Sequence, residues 1–258
     1  MPFVDAGGFK THYMLTGDKG PVLVLSNSLG TNLSMWDRQL AELHKRFSIL
    51  RYDTRGHGQS SVTPGDYTIE QLGRDAMSLL DALQLERVHF CGLSMGGMIG
   101  MWLAIHAPTR LHRLALCNTA ARIGSEEIWN KRIASVRKEG MKSIAPAVIE
   151  RWFTPEFRSS SPEQVAWTRG MLENSPAEGY AGCCAAIRDN DQRENLAKIN
   201  APTLVIYGAR DPVIPVPDAQ FMAERIPGAV QVELTAAHLS NIEQPEAFTK
   251  AVNEFLSQ

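Results

Sequence analysis

A chain of 258 residues, 44% hydrophobic and 21% charged, is long enough for one large α/β domain or a core with an insertion. Its formal net charge of -2 gives no electrostatic footprint for nucleic acid or an anionic membrane surface. No apolar run approaches the ~20 residues that span a bilayer, and the opening MPFVDAGGFK lacks a signal peptide's apolar core, so a soluble cytoplasmic protein is expected.

In chain order, strand patterns fall at His12–Leu15, Val22–Ser26, Ser48–Tyr52, Val88–Cys91, Leu114–Cys117, Thr203–Tyr207 and Val230–Leu234. Runs such as VLVLS and TLVIY are apolar on both faces, as central parallel strands covered by helices must be. Helical patterns lie between them at Met35–Arg46, Ile69–Leu83, Met95–His106, Pro217–Ile226 and Pro245–Leu256. This alternation predicts an α/β fold with a doubly wound, mostly parallel sheet. The alternation stops between about residues 121 and 199, where every stretch reads as helix. That block is expected to be a helical cap inserted into a core of residues 1–120 and 200–258. Cys91 and Cys117 lie in strand patterns, and Cys183 and Cys184 are adjacent, which fits reduced, buried thiols rather than disulfides.

Gly92-Leu93-Ser94-Met95-Gly96 matches G-x-S-x-G between a strand and a helical pattern. A sharp strand-to-helix turn pushes such a serine above the sheet, at a helix N-terminus where developing negative charge is favoured. A serine hydroxyl needs a base to take its proton. Of seven histidines, His238 alone sits in a loop (TAAHLSN) between a late strand and the last helix. His12 and His89 fall in strand patterns, His44, His106 and His112 in or beside helices, and His57 in a glycine turn. Asp211, in GARDPVIP after Thr203–Tyr207, is the carboxylate placed to orient His238. The loop after Leu114–Cys117 reads NTAAR and offers no acid. Asp53, Arg55 and His57 in RYDTRGHGQS read as a tied turn. No metal-ligand spacing occurs, so no metal is expected.

The order Ser94, Asp211, His238 resembles that of α/β-hydrolases over essentially the whole chain. The resemblance implies an oxyanion hole in Ser26-Asn27-Ser28-Leu29-Gly30, with the backbone N–H groups of Leu29 and Met95 as donors. Asn-Ser replaces the family's usual His-Gly there, leaving open whether Asn27 or Ser28 also contributes.

The stretches VLSNSLGTNLSMW, RYDTRGHGQS, FCGLSMGGMIG, LCNTAARIGS, ERWFTPEF and EGYAGCCAAIRD more narrowly resemble the 3-oxoadipate enol-lactonases. That resemblance implies cofactor-free hydrolysis of a small anionic lactone in the β-ketoadipate pathway of aromatic catabolism. A carboxylesterase, a C–C bond hydrolase and a ligand-sensing relative without turnover share the same residues and stay as alternatives. In the cap, Trp129 and Arg132 are three positions apart and share a helix face, combining an apolar wall with a carboxylate clamp. Trp152 and Arg188, in stretches shared with the enol-lactonases, are further candidates for substrate binding.

Overall fold

In a computed structural model, residues 2–5, 8–18 and 20–258 are described. Eight strands form one sheet: β1 (Phe3–Asp5), β2 (Lys10–Thr16), β3 (Val22–Ser26), β4 (Ser48–Tyr52), β5 (Val88–Leu93), β6 (Leu111–Cys117), β7 (Thr203–Gly208) and β8 (Val230–Leu234). Their order is β1-β2-β4-β3-β5-β6-β7-β8; β1 and β2 are antiparallel to their neighbours and β3 to β8 are parallel. Every residue of β5 and β7 is buried, which explains why both faces of these strands are apolar apart from His89 and Thr203. The chain belongs to the doubly wound α/β class that its alternating pattern predicts.

The core helices are α1 (Asp37–Leu43), α2 (Ile69–Ala82) and α3 (Met95–His106). In α2, buried Ile69, Leu72, Gly73, Ala76, Leu79 and Leu80 recur at helical spacing, and the Thr68 hydroxyl caps the first turn by accepting from Gln71 N at 3.0 Å. α3 is apolar almost all round (MGGMIGMWLAIH) because it lies between the sheet and α2. At their contact, a Cβ on Gly73 would come within 2.1 Å of the Trp102 ring, so the close approach requires glycine.

Five helices separate β6 from β7: α4 (Glu126–Glu139), α5 (Met141–Trp152), α6 (Pro155–Ser160), α7 (Pro162–Glu173) and α8 (Ala177–Arg188). The chain returns to the sheet and closes with α9 (Val216–Arg225), α10 (Ser240–Glu243) and α11 (Pro245–Leu256).

Several boundaries differ from the sequence pattern. The edge strand β1 spans only three residues, too few to show a period. The helix expected over Met35–Arg46 begins as a tight 3₁₀ turn, Leu33–Trp36, capped by Asn32, and its α-helical part ends at Leu43. β6 extends back to Leu111, which pairs with Val88 of β5; the half-buried polar pair His112 and Arg113 hides this part of the strand from an apolar pattern. All four cysteines are free and buried. Among the described residues, no helix is long and apolar enough to cross a membrane.

Candidate active site

Ser94 joins β5 to α3 with φ 55° and ψ -115°, a conformation that costs a non-glycine residue backbone strain. Two glycines make this turn possible. A Cβ on Gly92 would sit 2.1 Å from the Gly96 carbonyl oxygen, and one on Gly96 would sit 2.2 Å from that of Ser26. The turn is further fixed where Ser94 N donates to Cys117 O at 2.9 Å and the Thr119 hydroxyl donates to Ser94 O at 2.7 Å.

Asp211 and His238 follow β7 and β8, so all three residues lie beyond the carboxyl ends of parallel strands of the sheet. His238 Nε2 lies 3.0 Å from Ser94 Oγ, and His238 Nδ1 lies 2.9 Å from Asp211 Oδ2. The second contact assigns the proton to Nδ1 and leaves Nε2 free to accept from the serine. The Asp211 carboxylate is held on every side: Oδ1 accepts from Val213 N at 2.8 Å and Ile214 N at 3.0 Å, and Oδ2 accepts from Asn118 Nδ2 at 3.0 Å. Asn118, in the left-handed region at φ 42°, also donates to Ala237 O at 3.1 Å. It therefore ties both loops of the acid–base pair together. Nothing in the local pattern NTAAR marks this amide as a partner of an acid 93 positions later.

Above Ser94, the N–H groups of Ser28, Gly30 and Gly96 are taken by Met35 Sδ, His57 Nε2 and Asn27 O. Among the described residues, those of Leu29 and Met95 have no protein acceptor, which leaves these two donors for a ligand. The Asn27 side chain is spent on structure: Nδ2 donates to Tyr52 O at 2.7 Å and Oδ1 accepts from Trp36 Nε1 at 2.8 Å. Ser28 lines the cavity.

The turn after β4 supports this loop. Asp53 accepts from Leu33 N at 2.8 Å, Gln59 N at 2.9 Å and His12 Nδ1 at 2.7 Å, while Arg55 forks onto Asp75 at 2.5 and 2.7 Å. His57 Nε2 accepts from Gly30 N at 2.9 Å, so the imidazole is neutral there, and its burial holds its pKa below the ordinary histidine value.

A cavity opens over Ser94 and His238, walled by Leu29 below and by residues of α4, α5 and α8 above. Trp129 donates its indole N–H to Ile123 O at 2.7 Å and turns its ring to the cavity, with the Arg132 guanidinium 5.0 Å from the ring centroid. Trp152 is buried in the same wall. Arg188 is not there: its guanidinium is held by Asp189 at 2.7 Å, Asn130 at 2.9 Å and Asp66 at 3.4 Å, and it does not line the cavity. The tertiary fold brings Asp66 to it, away from the cavity that Trp129, Arg132 and Trp152 line. Arg151, overlooked in the sequence, lines the cavity instead. Desolvation, and then the charge of Arg132, lower its pKa from the ordinary arginine value. Tyr180 completes the wall as a neutral phenol, its pKa raised chiefly by burial.

A family model described as alpha/beta hydrolase fold matches residues 21–245. The chain is 48% identical over 238 residues to 3-oxoadipate enol-lactonase 2 of Acinetobacter baylyi, covering 92% of this chain and 89% of that one. A crystal structure of the enol-lactonase from Burkholderia xenovorans LB400 superposes with a TM-score of 0.98 at 47% identity, covering 100% of both chains. A thermophilic esterase from Thermogutta terrifontis, solved with malate bound, superposes with a TM-score of 0.93 at 32% identity, over 99% of this chain and 96% of that one. A serine turn after β5, an aspartate and a histidine in the loops after β7 and β8, and this likeness along the chain lead to one assignment: the protein belongs to the alpha/beta hydrolase fold family.

Proposed function

We propose that the protein hydrolyses 3-oxoadipate enol-lactone to 3-oxoadipate, with Ser94, His238 and Asp211 as nucleophile, base and orienting acid. The reading rests above all on one juxtaposition: a serine–histidine pair 3.0 Å apart in a cavity that Arg132 and Arg151 also line. Among the described residues neither arginine is ion-paired to a carboxylate, whereas Arg137, Arg158 and Arg188 all are. Two uncompensated guanidinium groups suit a substrate that carries its own carboxylate. The likeness to 3-oxoadipate enol-lactonases narrows that anion to the enol-lactone of the β-ketoadipate pathway.

In this account residues 121–199 act as a cap on the sheet core of residues 1–120 and 200–258. The lactone carboxylate lies against Arg132 and Arg151, with Trp129 and Trp152 as the apolar wall. His238 Nε2 takes the Ser94 proton as Oγ attacks the ring carbonyl, forming a tetrahedral oxyanion. The N–H groups of Leu29 and Met95 hold that oxygen, each contributing about 3–4 kcal/mol to the transition state. Collapse breaks the acyl C–O bond and releases an enolate, a weaker base than an alkoxide; the His238 imidazolium gives it the proton taken from Ser94, which leaves His238 neutral, and the enol so formed tautomerises to the ketone. The acyl chain stays on Ser94 as an ester. His238 then deprotonates a water that attacks this ester and returns the proton to Oγ as the acid leaves, with Asp211 stabilising the imidazolium at both stages. Hydrolysis creates a second carboxylate beside the first, and their repulsion favours release. No step calls for a cofactor.

Kinetics on the enol-lactone beside a neutral p-nitrophenyl ester of similar size test the reading. The expected kcat/KM is about 10-fold or more higher for the lactone, the scale of one charge-assisted hydrogen bond. A neutral ester turned over faster than the lactone would assign the site to a general esterase.

A further inference from the structure

Along the link from the last residue of α5 into α6, alternate residues are tied to neighbours of the acid–base pair. Trp152 O accepts from Leu239 N at 3.0 Å. Thr154 N contacts both Glu243 carboxylate oxygens, at 3.3 and 3.4 Å, and the Thr154 hydroxyl donates to Glu243 Oε1. Glu243 Oε2 also accepts from Ala237 N at 2.9 Å. Two residues on, the Glu156 carboxylate meets the Arg210 guanidinium at 2.9 Å. Ala237 and Leu239 flank His238, and Arg210 precedes Asp211. The first residue of the link, Trp152, is itself part of the cavity wall.

Glu243 lies at the centre of this arrangement, 7% exposed. Removing a carboxylate from water is costly unless donors surround it, and apolar packing commonly stabilises a fold as well without that cost. Here the charged group does something apolar packing does not: it joins the helical block and the histidine loop through directed hydrogen bonds. The link is therefore joined to both sides of His238, directly at Leu239 and through Glu243 at Ala237.

We infer that Glu243 is a positioning residue for His238, and that residues 152–156 form a strap coupling the substrate-facing wall to the acid–base pair. Contact of substrate with Trp152 then sets the imbidazole-to-hydroxyl distance through the strap. The inference rests on Ser94 being the nucleophile but not on which ester or lactone it attacks.

The test measures labelling of Ser94 by a fluorophosphonate probe, together with kcat and KM on a neutral p-nitrophenyl ester. Wild type, Glu243→Gln, Thr154→Val and Thr154→Ser are compared, each with its melting temperature. Misplacing a reacting group by a fraction of an ångström predicts about a 10-fold or greater fall in labelling rate and kcat for Glu243→Gln and Thr154→Val. KM should stay within about twofold, and Thr154→Ser, which keeps the hydroxyl, should recover most of the rate. Variants that melt earlier yet label at the wild-type rate would overturn the inference, leaving Glu243 a structural group only. If Glu243→Gln does not fold, the Thr154 pair decides alone. Failure of the probe to label the wild type would instead sink the Ser94 reading, and the strap with it.

Discussion

Arg132 and Arg151, on α4 and α5, face one cavity close enough that the charge of the first depresses the pKa of the second. Like charges held together without an acid cost stability, and the cost is offset when an anionic ligand arrives between them. Replacing either by alanine should raise KM for the anionic lactone, with kcat/KM falling about 10- to 100-fold per charge-assisted contact. A neutral ester should be affected less than about threefold, since it makes no such contact. Equal losses on both substrates would remove the arginines from carboxylate recognition.

Asp211→Asn keeps the shape of the side chain but replaces an acceptor with an N–H group facing His238 Nδ1. The imidazole then loses the partner that sets its tautomer, and kcat should fall about 10,000-fold with little change in KM. A loss below about tenfold would mean that Asn118 and the backbone alone orient His238.

Stability should fall in acid for a reason remote from the site. His89, packed edge-on against Phe47 at 5.6 Å and beside His112 at 5.2 Å, is held down to about 4, first by burial and then by the charges of His112, Arg113 and Arg87. His57 and His112 shift in the same direction. Below the unfolded value of about 6.5 the unfolded chain binds the extra protons, so stability is intact above that pH and is lost as pH falls towards 4. Thermal melts at about pH 7.5 and pH 5 should show the decline, and His89→Phe should shrink it. An unchanged slope in His89→Phe would contradict the assignment.

Gly92→Ala should lower stability by about 3 kcal/mol or more, because the new methyl meets a backbone carbonyl that cannot rotate away. Chemical denaturation checks this; a near-neutral change would show that the turn relaxes more freely than its geometry implies.

Much of this was legible in the chain because the site is built where local patterns change. Ser94, Asp211 and His238 each follow a strand run, so strand order alone set them at one rim of the sheet. The cavity walls were harder to read. Trp129 and Arg132 share a face of one helix, whereas Arg151 lies on the next helix and reaches the cavity only through packing. Arg188 carries a comparable local signal and yet is paired with Asp189 beside it and with Asp66, 122 positions earlier in the chain. Asn118 and Glu243 each bridge loops through several hydrogen bonds, with partners as far as 119 and 89 positions away, for which no spacing rule exists.

Wild-type and Ser94→Ala proteins, both shown to be folded by their melting curves, should be compared for ring opening of 3-oxoadipate enol-lactone. The account predicts rapid conversion to 3-oxoadipate by the wild type and a rate indistinguishable from the uncatalysed reaction for Ser94→Ala. A folded Ser94→Ala protein that still opened the lactone at a substantial fraction of the wild-type rate would contradict it.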